Sequence, residues 1–388
     1  MTNEEKITPP DTAAAPITKM DAVDEPASET SGAPALSRAD RMRGTLKSLG
    51  LGLVFLLILA LLLFGVSRVF EPKNNGGVSG LNAAHAAAEA FLGEPSDSLD
   101  VLFFGDSETY SAVSPVEIWK HNGIAGYTCA IGRQYLVYSQ SLMEKALEKH
   151  HPDVVVVDAN QLFRPFDEQK LIKSTIKDMF PLFERHNRWK ALSLEDFVAE
   201  PESTWIDDKK GFRIKWGIRP ASTRNYMAAD DKVAEVPELT QRVLSDMVEE
   251  CREAGTQLVI VATPSTRNWN MARHNGTEQL AEKLGVDFID LNTGDDTVPI
   301  DWDVDTHDRG DHLNYYGAVK TSQALADILR ERYGLPDHRG EAGYETWERA
   351  VRHYDRTVAS GQRWTTTCLA PLSTDLRATL PLEGNQLP

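Results

Sequence analysis

The chain has 388 residues, 41% hydrophobic and 8% aromatic, a globular composition long enough for one large domain with appendages or for two ordinary ones. Fifty-eight acidic against 41 basic residues give a formal charge of −17. That balance excludes non-specific nucleic-acid binding, which needs basic surface to displace phosphate counterions. Cys129, Cys251 and Cys368 lack CxxC spacing, so a disulfide framework, a zinc module and thioredoxin-like chemistry are not expected, although one bridge is open.

Residues 1–47 read as a disordered cytoplasmic tail, rich in Ala, Pro, Thr, Ser, Asp and Glu as far as Ala39 and without apolar period. Residues 48–67 read as a transmembrane signal-anchor helix. Leu49 to Val66 is uncharged throughout, and at about 1.5 Å per residue it just spans a hydrocarbon core of about 30 Å. Arg38, Arg41, Arg43 and Lys47 precede the run, while only Arg68 and Lys73 follow closely. The basic excess places the N-terminus in the cytoplasm and the C-terminal part outside the cell membrane. A cleaved signal peptide is the competing reading. The tail is too long for a typical n-region, and the Ala-x-Ala-like stretch Ala83 to Ala90 lies well beyond the run. Residues 68–96, with Pro72-Lys-Asn-Asn-Gly-Gly77, read as a juxtamembrane linker.

Residues 97–388 alternate short apolar runs with amphipathic stretches, the pattern of an α/β domain built on a doubly wound parallel sheet. Leu99 to Phe104, Asp153 to Val157, Gln257 to Ala262 and Val286 to Leu291 are predicted strands. Ser139 to His150, Leu239 to Ala254, Glu278 to Leu284 and Tyr316 to about Tyr333 are predicted helices. Residues 192–238 break the rhythm and read as an insertion over the active edge of the sheet, its aromatics either packing locally or gripping a sugar chain. Residues 336–388 offer one further helix, Tyr344 to Tyr354, and no legible role.

Ser107 follows the first strand in Gly105-Asp-Ser-Glu108, and sites in such sheets lie at the carboxyl ends of strands. A serine hydroxyl needs a base. The candidate base is His312, just before the last helix, with Asp308 or Asp311 to orient its ring. Asp308 is preferred, because an adjacent side chain seldom reaches its neighbour's ring nitrogen. Either motif alone is commonplace; the pair at the two ends of one α/β region is what carries chemistry.

These residues resemble the first and last blocks of the SGNH (GDSL-type) hydrolase superfamily, over about Leu99 to Tyr333. They are most similar to its membrane-anchored extracytoplasmic branch, which includes the teichoic-acid D-alanylation protein and exopolysaccharide O-acyltransferases. Phe180 to Trp189, Thr263 to Trp269 and Asp311 to Lys320 carry the likeness to that branch. The resemblance implies a three-layer sandwich with Ser107 as nucleophile and His312 as general base. Gly132 and Asn160 would complete the oxyanion hole with the Ser107 N–H. It implies no cofactor and no metal. The implied substrate is a cell-envelope polysaccharide or teichoic-acid-like polymer, with a multi-span acyl-donor membrane protein as partner.

Two departures stand out. The third block reads Asp158-Ala-Asn-Gln161, and the position three before His312 holds Arg309, with the acid at Asp308. They motivate the alternative expectation, a non-catalytic binding or scaffolding protein on the same fold. Asp301-Trp-Asp-Val-Asp305 mimics a calcium loop but has Thr306 and His312 where an EF-hand needs Gly and Glu. It reads as a polar loop leading to the site.

Overall fold

The computed structural model describes residues 38–71, 73 and 83–369. The expected tail up to residue 37, the middle of the expected linker and the end beyond residue 369 lie outside them. The chain divides into two compact units, Met1–Ile58 and Leu59–Pro388. Helix α1 (Arg38–Phe70) contains the run Thr45–Phe70, whose most apolar 18 residues have a mean hydropathy of 3.0, long and apolar enough to cross a membrane. The helix begins ten residues before the expected span, because Arg38 to Lys47 contains no proline and is rich in helix formers.

The second unit holds a five-stranded parallel sheet. Helix α2 (Ala83–Glu89) leads to β1 (Val101–Gly105), then α3 (Ser107–Ala112) and α4 (Pro115–Asn122). Strand β2 (Gly126–Ala130), α5 (Leu136–Lys149) and β3 (Val154–Asp158) follow. Next come α6 (Glu168–Met179), the short α7 (Leu182–Arg185) and α8 (Glu195–Val198), then α9 (Glu238–Ala254). The chain closes with β4 (Gln257–Ala262), α10 (Met271–Leu284), β5 (Asp287–Asp290), α11 (Tyr315–Tyr333) and α12 (Glu345–Leu369). The strand order is β2-β1-β3-β4-β5, all parallel.

Strand side chains alternate between two cores, as the pleat requires. Leu102, Phe104, Val155, Val157 and Ile260 face a core that includes Leu142 of α5 and Met247 of α9. Val101, Phe103, Val154, Val156 and Val261 face Ile118 of α4 and Leu325 of α11. Both faces are covered, so the strands read as unbroken apolar runs. The order reverses between β1 and β3, and a doubly wound sheet opens its binding crevice there.

One expectation needs correction. Residues 83–96 of the expected linker belong to the folded core: Ala86, Ala88, Ala90 and Phe91 are buried. Their alanines, which mimic a cleavage stretch, are helix formers in α2. Part of the insertion 192–238 lies along the active edge as expected, with Arg219 hydrogen-bonded to Thr306 and Arg309 of the histidine loop, and another part covers the far edge. Thr128 N–H of β2 donates to the Lys210 carbonyl at 2.9 Å, so part of the insertion caps the free edge of the sheet. Two of its aromatics pack locally, with Phe212 buried beside Tyr354 and Trp216 against Tyr315, while Phe197 is exposed.

Candidate active site

Gly105 ends β1 where α3 folds back onto it. A Cβ there would lie 1.7 Å from Thr109 Oγ1 and 3.0 Å from Asp158 Cβ, so only glycine permits this approach. Asp106 caps α3 by accepting from Glu108 N–H at 3.0 Å, and its other oxygen pairs with Arg164 at 2.5 Å. Thr109 Oγ1 donates to Asp158 at 2.6 Å, tying α3 to the end of β3. Ser107 is thereby held as the first residue of the helix, at the β1/β3 crevice.

His312 reaches Ser107 from a loop before α11. The segment Thr306 to Leu313 closes on itself: Gly310 N–H donates to Thr306 Oγ1 at 2.8 Å, and Thr306 Oγ1 donates to the His312 carbonyl at 2.9 Å. Arg309 and Gly310 both take left-handed conformations (φ 73° and 87°), which curl Asp308 back over His312. Asn314 then caps α11 through Tyr316 and Gly317 N–H.

The resulting geometry is continuous. His312 Nε2 lies 2.8 Å from Ser107 Oγ, and His312 Nδ1 lies 2.5 Å from Asp308 Oδ2. Asp308 Oδ1 accepts from the His312 N–H at 2.7 Å, which fixes the carboxylate plane. Asp311 stands 3.9 Å from the same ring nitrogen, and its side chain instead accepts from Asn268 at 2.5 Å. The four-residue spacing from Asp308 to His312 is made possible by the two left-handed residues between them.

Burial opposes a positive charge on His312. The Asp308 hydrogen bond and the charges of Asp308, Asp311 and Asp106 outweigh it, and the imidazole pKa lies above its ordinary value. Burial pushes Asp308 up, but its bonds to His312 hold it below the usual carboxylate range. His307 stacks on His312 with centroids 5.6 Å apart, and burial pushes its pKa down. His307, Asp308 and His312 bring ligand atoms within 4.8 Å of one another, the one group with metal-ligand spacing among the described residues. Two of its members already form the Asp–His pair. The carboxylates of 301–305 are spent on their own turn, on Lys320 and on Arg224: Asp301 accepts from Asp303 N–H, Asp305 from Asp301 N–H and Lys320 Nζ, and Asp303 pairs with Arg224.

Gly132 is exposed in the turn after β2, its Cβ position 3.7 Å from the Tyr110 hydroxyl. That hydroxyl lies in turn against Ser107. Asn160 is buried after β3; its backbone N–H donates to Asp158 at 3.0 Å and its Oδ1 accepts from Arg273 at 2.7 Å. This leaves Asn160 Nδ2 as a donor with no protein acceptor among the described residues.

Several neighbours that the sequence reading gave no role complete the site. Asn268 donates to both Glu108 and Asp311, clasping α3 to the histidine loop. Burial, with the charges of Asp158 and Asp106, pushes Glu108 well above the carboxylate range. Burial and Asp106 likewise push Asp158 up to about 7. The Arg213 guanidinium lies 4.3 Å over the Tyr110 ring. Only Asn268 falls within a segment that carries the branch resemblance.

No family model and no curated protein matches the chain. It is similar to solved structures of the lipase/acylhydrolase from Enterococcus faecalis (10% identity, TM-score 0.33, covering 60% of this chain and 97% of that one). It is also similar to a GDSL-like lipase from Bacteroides thetaiotaomicron (11%, TM-score 0.32, 64% and 95%). A third is the psychrotrophic esterase EstA from Pseudoalteromonas (10%, TM-score 0.32, 61% and 99%). At this identity and TM-score the likeness carries no argument about chemistry, which rests on the geometry above.

Proposed function

We propose that this chain is a membrane-anchored, extracytoplasmic serine enzyme that cleaves or transfers acyl esters on a cell-envelope polymer. The observation that carries the reading is the unbroken relay from Ser107 Oγ through both ring nitrogens of His312 to Asp308, at 2.8 and 2.5 Å. Ser107 attacks the ester carbonyl as His312 Nε2 takes its proton. Asp308 fixes the tautomer that leaves Nε2 as acceptor and stabilises the imidazolium. The tetrahedral oxyanion is received by the Ser107 N–H with Gly132 N–H and Asn160 Nδ2; one such donor is worth about 10²–10³ in rate. His312 returns the proton to the departing alkoxide, and water or a sugar hydroxyl releases the acyl group by the same steps in reverse. Water gives an esterase, and the hydroxyl gives an O-acyltransferase.

The apolar run Thr45–Phe70 supports the anchor, and the basic residues before it support a cytoplasmic N-terminus. In the O-acyltransferase form a multi-span membrane protein supplies the acyl group. A fluorophosphonate probe tests the site on the full chain. It should label wild type, fail on Ser107→Ala, and label His312→Ala far more slowly. Labelling indifferent to His312 would leave only a binding role for the fold. Product analysis with an acetyl ester, with and without an oligosaccharide acceptor, separates hydrolysis from transfer.

A further inference from the structure

Away from the site, an apolar ledge faces solvent beside the end of α1. Helix α6 buries none of its side chains; Ile172, Ile176 and Met179 are 57%, 40% and 59% exposed. Phe183, Trp189 and Phe197, which follow, are 46%, 63% and 62% exposed. Soluble surfaces rarely leave so many large apolar groups together without a partner.

Two observations identify what covers them. The first is continuity with α1. Buried Arg188 donates to the Phe70 carbonyl at 2.6 Å, Leu182 N–H donates to Ser67 Oγ at 3.5 Å, and Arg68 pairs with Glu200. The ledge is thus fastened to the last turn of the apolar helix. The second is charge. In a chain of net charge −17, residues 168–198 hold six basic residues against five acidic ones, a small local excess of positive charge. Lys170, Lys173, Lys177 and Lys190 are exposed among the apolar groups. Apolar and tryptophan side chains interleaved with lysine match the headgroup–acyl boundary of a bilayer containing anionic lipid.

We infer that residues 172–198 form a second membrane contact, lying in the interface of the leaflet where α1 emerges. This rests on the reading of α1 as a membrane anchor. The contact would hold the catalytic unit against the bilayer instead of leaving it on a free tether.

Tryptophan quenching in vesicles tests it. The full chain is reconstituted in phosphatidylcholine containing one part in about three of phosphatidylglycerol, with acyl chains either plain or brominated near the headgroup. Helix α1 contains no tryptophan, and Trp119, Trp269, Trp302 and Trp347 are buried. The bromines should quench part of the emission, and that part should vanish in Trp189→Phe and shrink in Phe183→Ser/Phe197→Ser. A chain that floats with the vesicles, yet shows the same quenching with or without Trp189, overturns the second contact and leaves the anchor standing. A protein partner on this face would give that result, since the vesicles hold no other protein. A chain that does not float removes the anchor and this contact with it.

Discussion

At the residue scale the open question in the sequence was which acid serves His312, and the two candidates are now physically distinct. Asp308 holds Nδ1 at 2.5 Å and the loop N–H at 2.7 Å. Asp311 is turned to Asn268 and acts on the ring only as a charge 3.9 Å away. Asp308→Asn should therefore lower kcat on a small ester by on the order of 10⁴-fold, because the amide no longer imposes the reactive tautomer. Asp311→Asn should cause a much smaller loss; equal losses in steady-state assays would argue against the assignment.

The same contact sets a pH dependence. The base form of His312 is the neutral one, so activity rises as pH passes upward through its pKa. The bonds and charges around it put that value above the ordinary histidine range of about 6.5. The acid limb of kcat/KM in the wild type should accordingly lie above that range. Removing the Asp308 charge leaves burial opposed only by Asp311 and Asp106, so the limb in Asp308→Asn should move to lower pH. A profile that does not move would mean that another group titrates.

At the element scale the site is a matter of how closely α3 sits on the end of β1. Gly105→Ala places a Cβ 1.7 Å from a threonine oxygen already bonded to Asp158. Thr109 is branched at Cβ and fixed at its far end, so the helix must lift. The expected cost is about 1–3 kcal/mol of stability, read from the urea midpoint, with a fall in kcat because Ser107 moves with the helix. Unchanged stability and turnover would show that the turn adjusts freely.

Much of this scale was legible. The continuous runs at β1, β3 and β4 announce buried parallel strands, and the motifs around Ser107 and His312 mark their loops. Strand β2 escaped because Gly126-Tyr-Thr-Cys-Ala130 is short and mixed, and it becomes buried only when Lys210 and α2 close over it. The first half of α10, before Glu278, lies outside the predicted helix and contains Gly276. There the glycine serves close packing: a Cβ would lie 2.1 Å from the Ala234 carbonyl. Arg213 reaches the site only through the tertiary fold, so no local pattern could mark it, and Asn268 lies in a segment whose likeness named no role for it.

At the scale of the whole molecule, distant parts of the chain meet at a buried ion pair. Lys210 of the insertion and Glu94, just before β1, are both fully buried and bonded at 2.6 Å. The ammonium lies 4.6 Å over the ring of Trp347 from α12, which stacks on Trp119 of α4. Burial pushes Glu94 above its usual range and Lys210, with a smaller contribution from the charge of Lys149, only partly restores it, so the carboxylate depends chiefly on Lys210. Glu94 Oε2 has no hydrogen-bond partner, which adds to the cost of isolating it. Lys210→Met should therefore destabilise the fold by about 3–5 kcal/mol, the usual loss when one member of a buried pair is stranded. Lys210→Met combined with Glu94→Leu removes both desolvation penalties and should recover most of that loss. Denaturant midpoints of the two single variants and the double close the cycle. Additive losses would mean that the two side chains contribute separately, through their packing. Recovery in the double variant would assign the insertion's hold on the core to shape, with the charges costing as much to bury as they return by attraction.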